Sequence, residues 1–345
     1  MSDIQKPLVV GNYLDGTGEM AWAWWHADHS RLAIIGDNQY TPKRAMLKEI
    51  AHKIHERDPE AVYWITGEDR PGISEVFPID AIPWVEHHPD PPEEYFDRNI
   101  FISNRVFFSS AFLRILAKIK GVSRQELLPP SSYRSHMEGP MVGHMRNVEG
   151  LPEGEIKDWL QNQFRALESV NWYKTRNEGR KYYIDKSTSL YEQALSILIA
   201  AWSFWAYTAK LDNPQQFMLI IEPPKELLMY TTEKEIQEIV AEALGILKYL
   251  TEVTTTSIIL STETLHPAPE QHYRYKLFFQ TLDSDIDMWH KDVQMKIQKP
   301  ELYFAWRDGR SDAGMWEDSY TGESKFAFFR TDTIEFWDDF DKGEE

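Results

Sequence analysis

The sequence predicts an α/β fold in which a mainly parallel β-sheet is flanked by helices. A short apolar run at 31–36 (RLAIIG) is followed by helical spacing of apolar residues at 43–57 and by a second apolar run at 61–66 (AVYWIT). A strand–helix–strand unit of this kind predicts parallel strands joined by a right-handed crossover. Two later runs, 217–221 (FMLII) and 256–260 (TSIIL), are apolar at most positions. Such runs are typical of parallel strands that are buried on both faces.

The remaining predicted elements continue this alternation. Helices are predicted where apolar positions recur every three or four residues, and strands where short apolar runs are bounded by turn residues. In chain order they are a helix at Phe107–Lys120, a strand at Lys181–Asp185, helices at Leu190–Leu211 and Glu233–Thr251, and strands at Tyr275–Gln280, Leu302–Trp306 and Lys325–Phe329.

Proline and glycine are concentrated between residues 123 and 155, which predicts a long loop or a small inserted subdomain. A chain of 345 residues exceeds the size at which one hydrophobic core usually stops growing, so an insertion is expected. The predicted organisation is a first half of the α/β core at 1–122, an inserted segment at 123–180, a second half of the core at 181–337 and an acidic tail at 338–345.

Composition narrows the classes of function. The chain has a formal net charge of −18, which disfavours direct binding of the monomer to a nucleic-acid backbone. It has no cysteine, which excludes disulfides and thiolate chemistry. The longest apolar stretch falls short of the roughly 20 residues that a membrane span needs. The amino terminus lacks the basic and apolar regions of a secretory signal, so a cytoplasmic location is expected.

Four stretches along the chain form an ordered pattern. They are RLAIIGDNQYTPKRAMLKEIAHKI, KYYIDKSTSLYEQALSILIAAW, FMLIIEPPKELL and ILKYLTEVTTTSIILSTET. In this order they resemble the phosphate-binding loop, the strand and long helix, the Asp-Glu strand and the sensor strand of the HerA/FtsK superfamily of hexameric translocation ATPases. That superfamily includes the motors of type IV secretion and conjugation. The resemblance implies a RecA-like, P-loop NTPase-type fold.

The turn after the first core strand departs from a working phosphate loop. The motif G-x-x-x-x-G-K-[ST] uses glycine for close backbone approach, lysine for the phosphates and a hydroxyl for Mg²⁺. In this chain those three positions are Thr41, Pro42 and Lys43. Proline removes an N–H donor and a cation together, and Lys43 lies one position late, so helical rotation is expected to direct it away. If nucleotide binds, the candidate residues are Gly36, Thr41, Lys43 and Arg44.

The strand resembling the family's Asp-Glu strand departs as well. The family's Asp holds the Mg²⁺ shell and its Glu polarises the attacking water, whereas this chain has Glu222 followed by Pro223. Glu222 is the candidate metal-shell carboxylate, but Pro223 cannot act as a general base. The two independent losses predict a pseudo-ATPase.

Other candidate residues keep a structural alternative. Thr262 and Thr264 lie at the sensor-like strand end, where threonine is also common without a function. Arg307 and Arg310 follow a late strand and fit either arginine fingers acting across a subunit interface or an ordinary surface turn. The metal-capable motif HADH at 26–29 lacks a matching second cluster, so no metal site is predicted.

The sequence therefore favours a degenerate ATPase that acts as a structural or regulatory subunit of a DNA- or protein-translocation machine. It would need no cofactor and would bind protein partners, as a homo-oligomer or with related ATPase subunits. The alternative is an active ATPase that uses ATP and Mg²⁺, with Lys43 on phosphate, Glu222 supporting the metal, and Arg307 or Arg310 acting in trans. A third interpretation is an unrelated α/β binding module, which a different strand order would reveal.

Overall fold

The computed structural model describes the sheet and its flanking helices. The described residues are 6–14, 16–26, 29–37, 41–59, 61–66, 111–128, 148–169, 181–208, 216–228, 232–263, 273–279 and 312–336. The strands are β1 (Leu8–Tyr13), β2 (Glu19–Trp22), β3 (Arg31–Ile35), β4 (Val62–Thr66), β5 (Lys181–Tyr183), β6 (Phe217–Glu222), β7 (Thr256–Thr262), β8 (Tyr275–Phe278), β9 (Ala313–Asp318), β10 (Glu323–Phe328) and β11 (Glu335–Phe336). The helices are α1 (Lys43–Arg57), α2 (residues 111–120), α3 (Arg124–Leu127), α4 (Glu155–Ser169), α5 (Leu190–Thr208) and α6 (Lys234–Val253), with 3₁₀ turns at Lys225–Leu228 and Thr331–Thr333.

Six parallel strands form the centre of one sheet, in the order β8-β3-β7-β6-β4-β5. Only β7 lies between β3, which leads into the turn, and β6, which ends in Glu222. The predicted α/β class is confirmed, since the sheet has a parallel centre that is flanked by helices. The arrangement brings the ends of the three strands that carry the candidate residues side by side.

Both faces of the parallel sheet are buried. In β6, Met218 and Ile220 lie in one apolar cluster with the side chains of α1. The alternate residues of the same strand, Leu219 and Ile221, lie in a second cluster with α5 and α6. This alternation explains why the strand is apolar at successive positions, since each side of the strand faces a helix layer. Among the described helices, none is both long and apolar enough to cross a membrane.

Five antiparallel strands, β1, β2, β9, β10 and β11, extend the sheet beyond β8; we call them the antiparallel wing. β9 pairs with β8, β10 with β9 and β1 with β10, while β2 and β11 also pair with β1. Wing residues such as Leu8, Trp22 and Ala327 share the apolar cluster of α1. The guanidinium of Arg57, at the end of α1, lies 4.3 Å from the centre of the Phe336 ring. Helix α1 is therefore held by the parallel sheet and by the wing.

The sequence predictions miss most of the wing. The predicted strand Lys325–Phe329 is confirmed by β10, whereas β1 and β9 were not predicted and Leu302–Trp306 lies outside the described residues. β9 (AGMWED) is buried at its first five positions, although its glycine and its closing acidic pair make it look unlike a core strand. It is held by six paired residues in β10 and four in β8, a register that the local sequence does not reveal.

Part of the predicted insertion packs directly on the α/β core. In α4, Leu160, Phe164 and Leu167 are fully buried in the cluster that includes α5 and β6. The rings of Phe164 and Phe112 meet edge to face with centroids 5.5 Å apart. The boundaries 123 and 180 stay a prediction, but α4 contributes to the main core.

Two glycines give opposite expectations for stability. A Cβ on Gly11, in β1, would lie 2.6 Å from the carbonyl oxygen of Phe328 and 2.9 Å from Phe329, so Gly11→Ala is expected to lower the free energy of unfolding by about 1–3 kcal/mol. Gly245, within α6, faces open space, so Gly245→Ala is expected to raise it by about 0.5–1 kcal/mol. Urea titration of both variants measures the two shifts. Equal shifts would contradict the close packing of β1 on β10.

Candidate functional site

The candidate site lies at the carboxyl edge of the parallel sheet. In the register of β3 and β7, Ile35 is the partner of Thr262, so the turn that begins at Gly36 starts beside the end of β7. On the other side of β7, β6 ends at Glu222. Parallel strands place their carboxyl ends on one edge, where open α/β sheets usually bind ligands. The structure thus brings together three of the residues selected from the sequence.

Lys43 is directed into this edge, contrary to the expectation from helix rotation. Its side chain is buried, with 1% of the residue exposed, although it is the first residue of α1. Its ammonium Nζ donates a hydrogen bond of 2.9 Å to the carbonyl oxygen of Thr262. The amide of Gly36 donates to the same oxygen at 3.0 Å. The start of α1, the end of β3 and the end of β7 are therefore joined at one carbonyl.

The hydroxyl in the turn is engaged within the turn itself. Thr41 Oγ1 donates to the carbonyl oxygen of Asp37 and accepts a 3.4 Å hydrogen bond from the amide of Lys43. Pro42 precedes the first helical residue and gives no side-chain cap. Residues 38–40 lie outside the described residues. The Thr41 hydroxyl thus makes both of these hydrogen bonds with backbone groups in or next to the turn.

Glu222 is held by two neighbouring strands. Its Oε2 accepts a 2.6 Å hydrogen bond from the indole Nε1 of Trp64, and the hydroxyl of Ser261 lies 3.5 Å from Oε1. All three residues are buried, and Glu222 is 8% exposed. Burial of an ionised carboxylate is tolerated when hydrogen bonds replace water. Glu222 is thus fixed by the protein at this edge.

The structure describes two of the five remaining candidate residues. Arg44 is half-buried in the first turn of α1, a turn without acidic residues. Thr262 contributes its carbonyl oxygen to the junction with Lys43. Thr264, Arg307 and Arg310 lie outside the described residues, so their proposed sensor and arginine-finger roles stay predictions.

The three described side chains that a phosphate cradle would use are engaged in hydrogen bonds within the protein. A phosphate cradle needs a lysine directed at phosphate and a hydroxyl and carboxylate directed at Mg²⁺. Here the Lys43 ammonium is bound to a strand carbonyl, the Thr41 hydroxyl is bound within the turn, and Glu222 is bound to an indole. Pro42 adds no amide donor. Binding would have to break several internal hydrogen bonds.

His29, the last residue of the HADH motif, lies away from this edge, beside Tyr275 at the start of β8. The His29 ring stacks on Tyr275 with centroids 5.5 Å apart and its Nδ1 is hydrogen-bonded to the Tyr275 hydroxyl, while Asp28 lies outside the described residues. Burial raises the pKa of Tyr275 to about 12. Within the described part of the chain, no three His, Asp or Glu side chains are grouped so that they could hold a metal ion.

Two residues of the site were missed in the sequence. Trp64 looks like an ordinary core residue of β4, and Ser261 like a strand residue of β7. Both contacts depend on the position of β6 between β4 and β7 in the sheet. This strand order brings Trp64 to Glu222 across 158 positions of sequence, and Ser261 to Glu222 across 39 positions. The one available signal is an isolated carboxylate at the end of an apolar strand, since such a group needs buried donors.

Comparison with known proteins adds no evidence on function. No protein-family model matches the sequence, and no curated protein is significantly similar to it. Among solved structures, the DNA-packaging ATPase B204 from Sulfolobus turreted icosahedral virus is similar with a TM-score of 0.42 and 9% identity, over 87% of this chain and 97% of that chain. The genome packaging NTPase B204 of Sulfolobus turreted icosahedral virus 2, in complex with AMPPCP, gives a TM-score of 0.40 and 10% identity, over 88% and 100%. EssC (ATPases 2 and 3) from Geobacillus thermodenitrificans gives 0.38 and 9%, over 96% and 44%.

Proposed function

We propose that this chain is a non-hydrolysing, P-loop-like subunit that acts through protein contacts in a DNA- or protein-translocation machine. The observation that carries the proposal is the buried hydrogen bond from Lys43 Nζ to the Thr262 carbonyl. It uses Lys43, the first residue of α1, as a link between this helix and β7. A lysine engaged in this way stabilises the fold and is not available to a phosphate unless the link breaks.

The rest of the edge supports the same proposal. Pro42 takes the place of the phosphate-binding lysine, and Pro223 takes the place of the residue that would polarise water. A proline side chain can neither donate a hydrogen bond nor accept a proton. The two prolines and the internal hydrogen bonds all support a chain that does not hydrolyse ATP, because each removes a group that phosphoryl transfer needs.

The translocation setting is supported by the ordered resemblance of four sequence stretches to the HerA/FtsK superfamily. A subunit that keeps this fold can occupy a position in an assembly of related subunits without contributing chemistry. The net charge of −18 favours protein partners over direct contact with a nucleic-acid backbone.

The proposal predicts that Mg·ATP does not stabilise the purified chain. A ligand present at about 100 times its dissociation constant stabilises a protein by about 2.7 kcal/mol, which thermal unfolding detects readily. We expect no change in Tm with millimolar Mg·ATP and no phosphate release. A shift that is present in the wild type and lost in Lys43→Met would overturn the proposal.

The second candidate is an active ATPase with an atypical loop. It is favoured by the position of Lys43 and Glu222 at the same sheet edge and by the basic first turn of α1, which suits an anion near a helix amino terminus. In that case Lys43 would exchange the Thr262 carbonyl for phosphate. Phosphate release that is lost in both Lys43→Met and Glu222→Gln would establish it.

A further inference from the structure

We propose that the outer face of α6 is a docking surface for a partner protein that inserts an arginine side chain between Glu242 and Tyr249. The inference rests on the proposed function, because it names the surface and the chemistry of one of the protein contacts through which the chain would act. It starts from the pattern of buried and outward residues along this helix.

The outer face is the side of α6 that points away from the sheet. The opposite side, with Ile239, Ala243 and Leu247, is buried in the apolar cluster that includes α5 and β6. Residues that recur at intervals of three and four positions share one face of a helix. This spacing defines the outer face as Glu235, Glu238, Glu242, Gly245, Tyr249 and Glu252.

The outer face has an open gap at Gly245. A Cβ added to Gly245 would have no heavy atom within 4 Å, so packing among the described residues does not require a glycine there. A glycine inside a helix costs about 0.5–1 kcal/mol relative to alanine, and it permits close approach of another molecule. Tyr249, one turn further along, is a large side chain that is 53% exposed. The gap therefore lies next to an aromatic ring that a partner can contact.

The charge of the outer face favours a cationic partner group. Lys118 lies 2.5 Å from Glu238 and Arg31 lies 3.5 Å from Glu252, so cations of this chain compensate two of the carboxylates. Glu242, between them along the helix, has no ion-pair partner among the described residues. Opposite charges across an interface favour the correct partner and its orientation. A basic side chain placed over the gap would complete the row of ion pairs.

An arginine suits both sides of the gap. Glu242 and Tyr249 lie about 10.5 Å apart along the helix axis, and helical side chains tilt toward the amino terminus, which brings the second toward the first. A guanidinium can bind a carboxylate and stack on an aromatic ring at the same time, whereas an ammonium is a point charge. The chain already contains this combination, since the Arg274 guanidinium lies 3.2 Å from the Asp318 carboxylate and 5.2 Å from the centre of the Tyr320 ring.

The test uses the full-length chain and a fluorescently labelled, alanine-based helical peptide that carries arginines along one face. Gly245→Leu fills the gap and leaves the charge of the chain unchanged. Leucine favours a helix more than glycine does, so this variant should fold at least as stably as wild type, which circular dichroism checks. Fluorescence anisotropy at low salt measures the dissociation constant of the peptide.

We expect Gly245→Leu and Tyr249→Ala each to weaken peptide binding at least about tenfold. Tyr320→Ala removes another exposed tyrosine, outside α6, and should match wild type. Glu242→Gln should weaken binding at least about threefold, whereas Glu149→Gln removes the same charge from an exposed position outside α6 and should not. Equal losses in the two glutamine variants would indicate attraction to the overall charge and would contradict the docking surface.

Further outcomes would also overturn the inference. Equal affinity of wild type and Gly245→Leu, or no saturable binding of the arginine peptide, would do so even if wild type neither binds nor hydrolyses ATP. The same peptide with lysines should bind more weakly, and equal affinity would exclude the arginine-specific fit. Self-association of wild type that Gly245→Leu abolishes, measured by sedimentation, would show that a second copy occupies the face instead. ATP hydrolysis by wild type would overturn the proposed function and leave the peptide comparison to decide on the docking surface.

Discussion

Lys43→Ala is expected to lower the free energy of unfolding by about 2–4 kcal/mol, as the loss of a charged hydrogen bond and of buried side-chain volume. The ammonium of Lys43 joins the start of α1 to the end of β7, and the side chain is buried. Substitution of a solvent-exposed lysine would lower the free energy of unfolding far less. Urea denaturation measures the difference.

Two further variants separate the contribution of the hydrogen bond from that of the buried side-chain volume. Lys43→Met keeps most of the volume and should lose only the contribution of the hydrogen bond, about 1.5–3 kcal/mol. Lys48→Ala removes an exposed lysine further along the same helix and should change the free energy of unfolding by less than about 0.5 kcal/mol. If Lys43→Ala behaves like Lys48→Ala, the structural role of Lys43 is wrong and the active-ATPase alternative gains support.

Phe164→Ala is expected to lower the free energy of unfolding by about 3–5 kcal/mol, the range for truncating a fully buried aromatic side chain. Phe164 anchors α4 to α2 through its contact with Phe112 and lies in the same core as the parallel sheet. The whole α/β core should therefore unfold at lower denaturant concentration, in one transition.

The matched control for this substitution is Ile156→Ala in the same helix, where the side chain is 56% exposed and the effect should be small. A separate early transition for Phe164→Ala, with the main transition unchanged, would show that α4 belongs to an independently folding insertion. Circular dichroism and tryptophan fluorescence followed together distinguish the two outcomes.

The parallel half of the fold could be predicted because its signals are local. The start and end of α1 match the prediction, and β6 and β7 were recognised from short runs that are apolar at most positions. The wing could not be predicted in the same way. β1 (LVVGNY) and β9 (AGMWED) have mixed composition. Each pairs with a nearby strand, β2 or β10, and also with a strand far along the chain, β10 in the case of β1 and β8 in the case of β9.

The candidate residues could be selected from the sequence, but the hydrogen bonds that they make could not. Glu222 and Lys43 were selected from their places in the chain, yet the side-chain direction of Lys43 was wrong. Helix rotation alone ignores the length of a lysine side chain, which reaches the Thr262 carbonyl from the first residue of α1. The indole of Trp64 could not be foreseen, because its acceptor lies 158 positions away.

The enclosure of α1 has a mechanical consequence. Helix α1 packs against the sheet and also contacts the wing through Arg57 and Phe336, so both hold it in place. Close-packed interiors resist gradual sliding. An event at the Gly36–Pro42 turn would therefore transmit little displacement through α1.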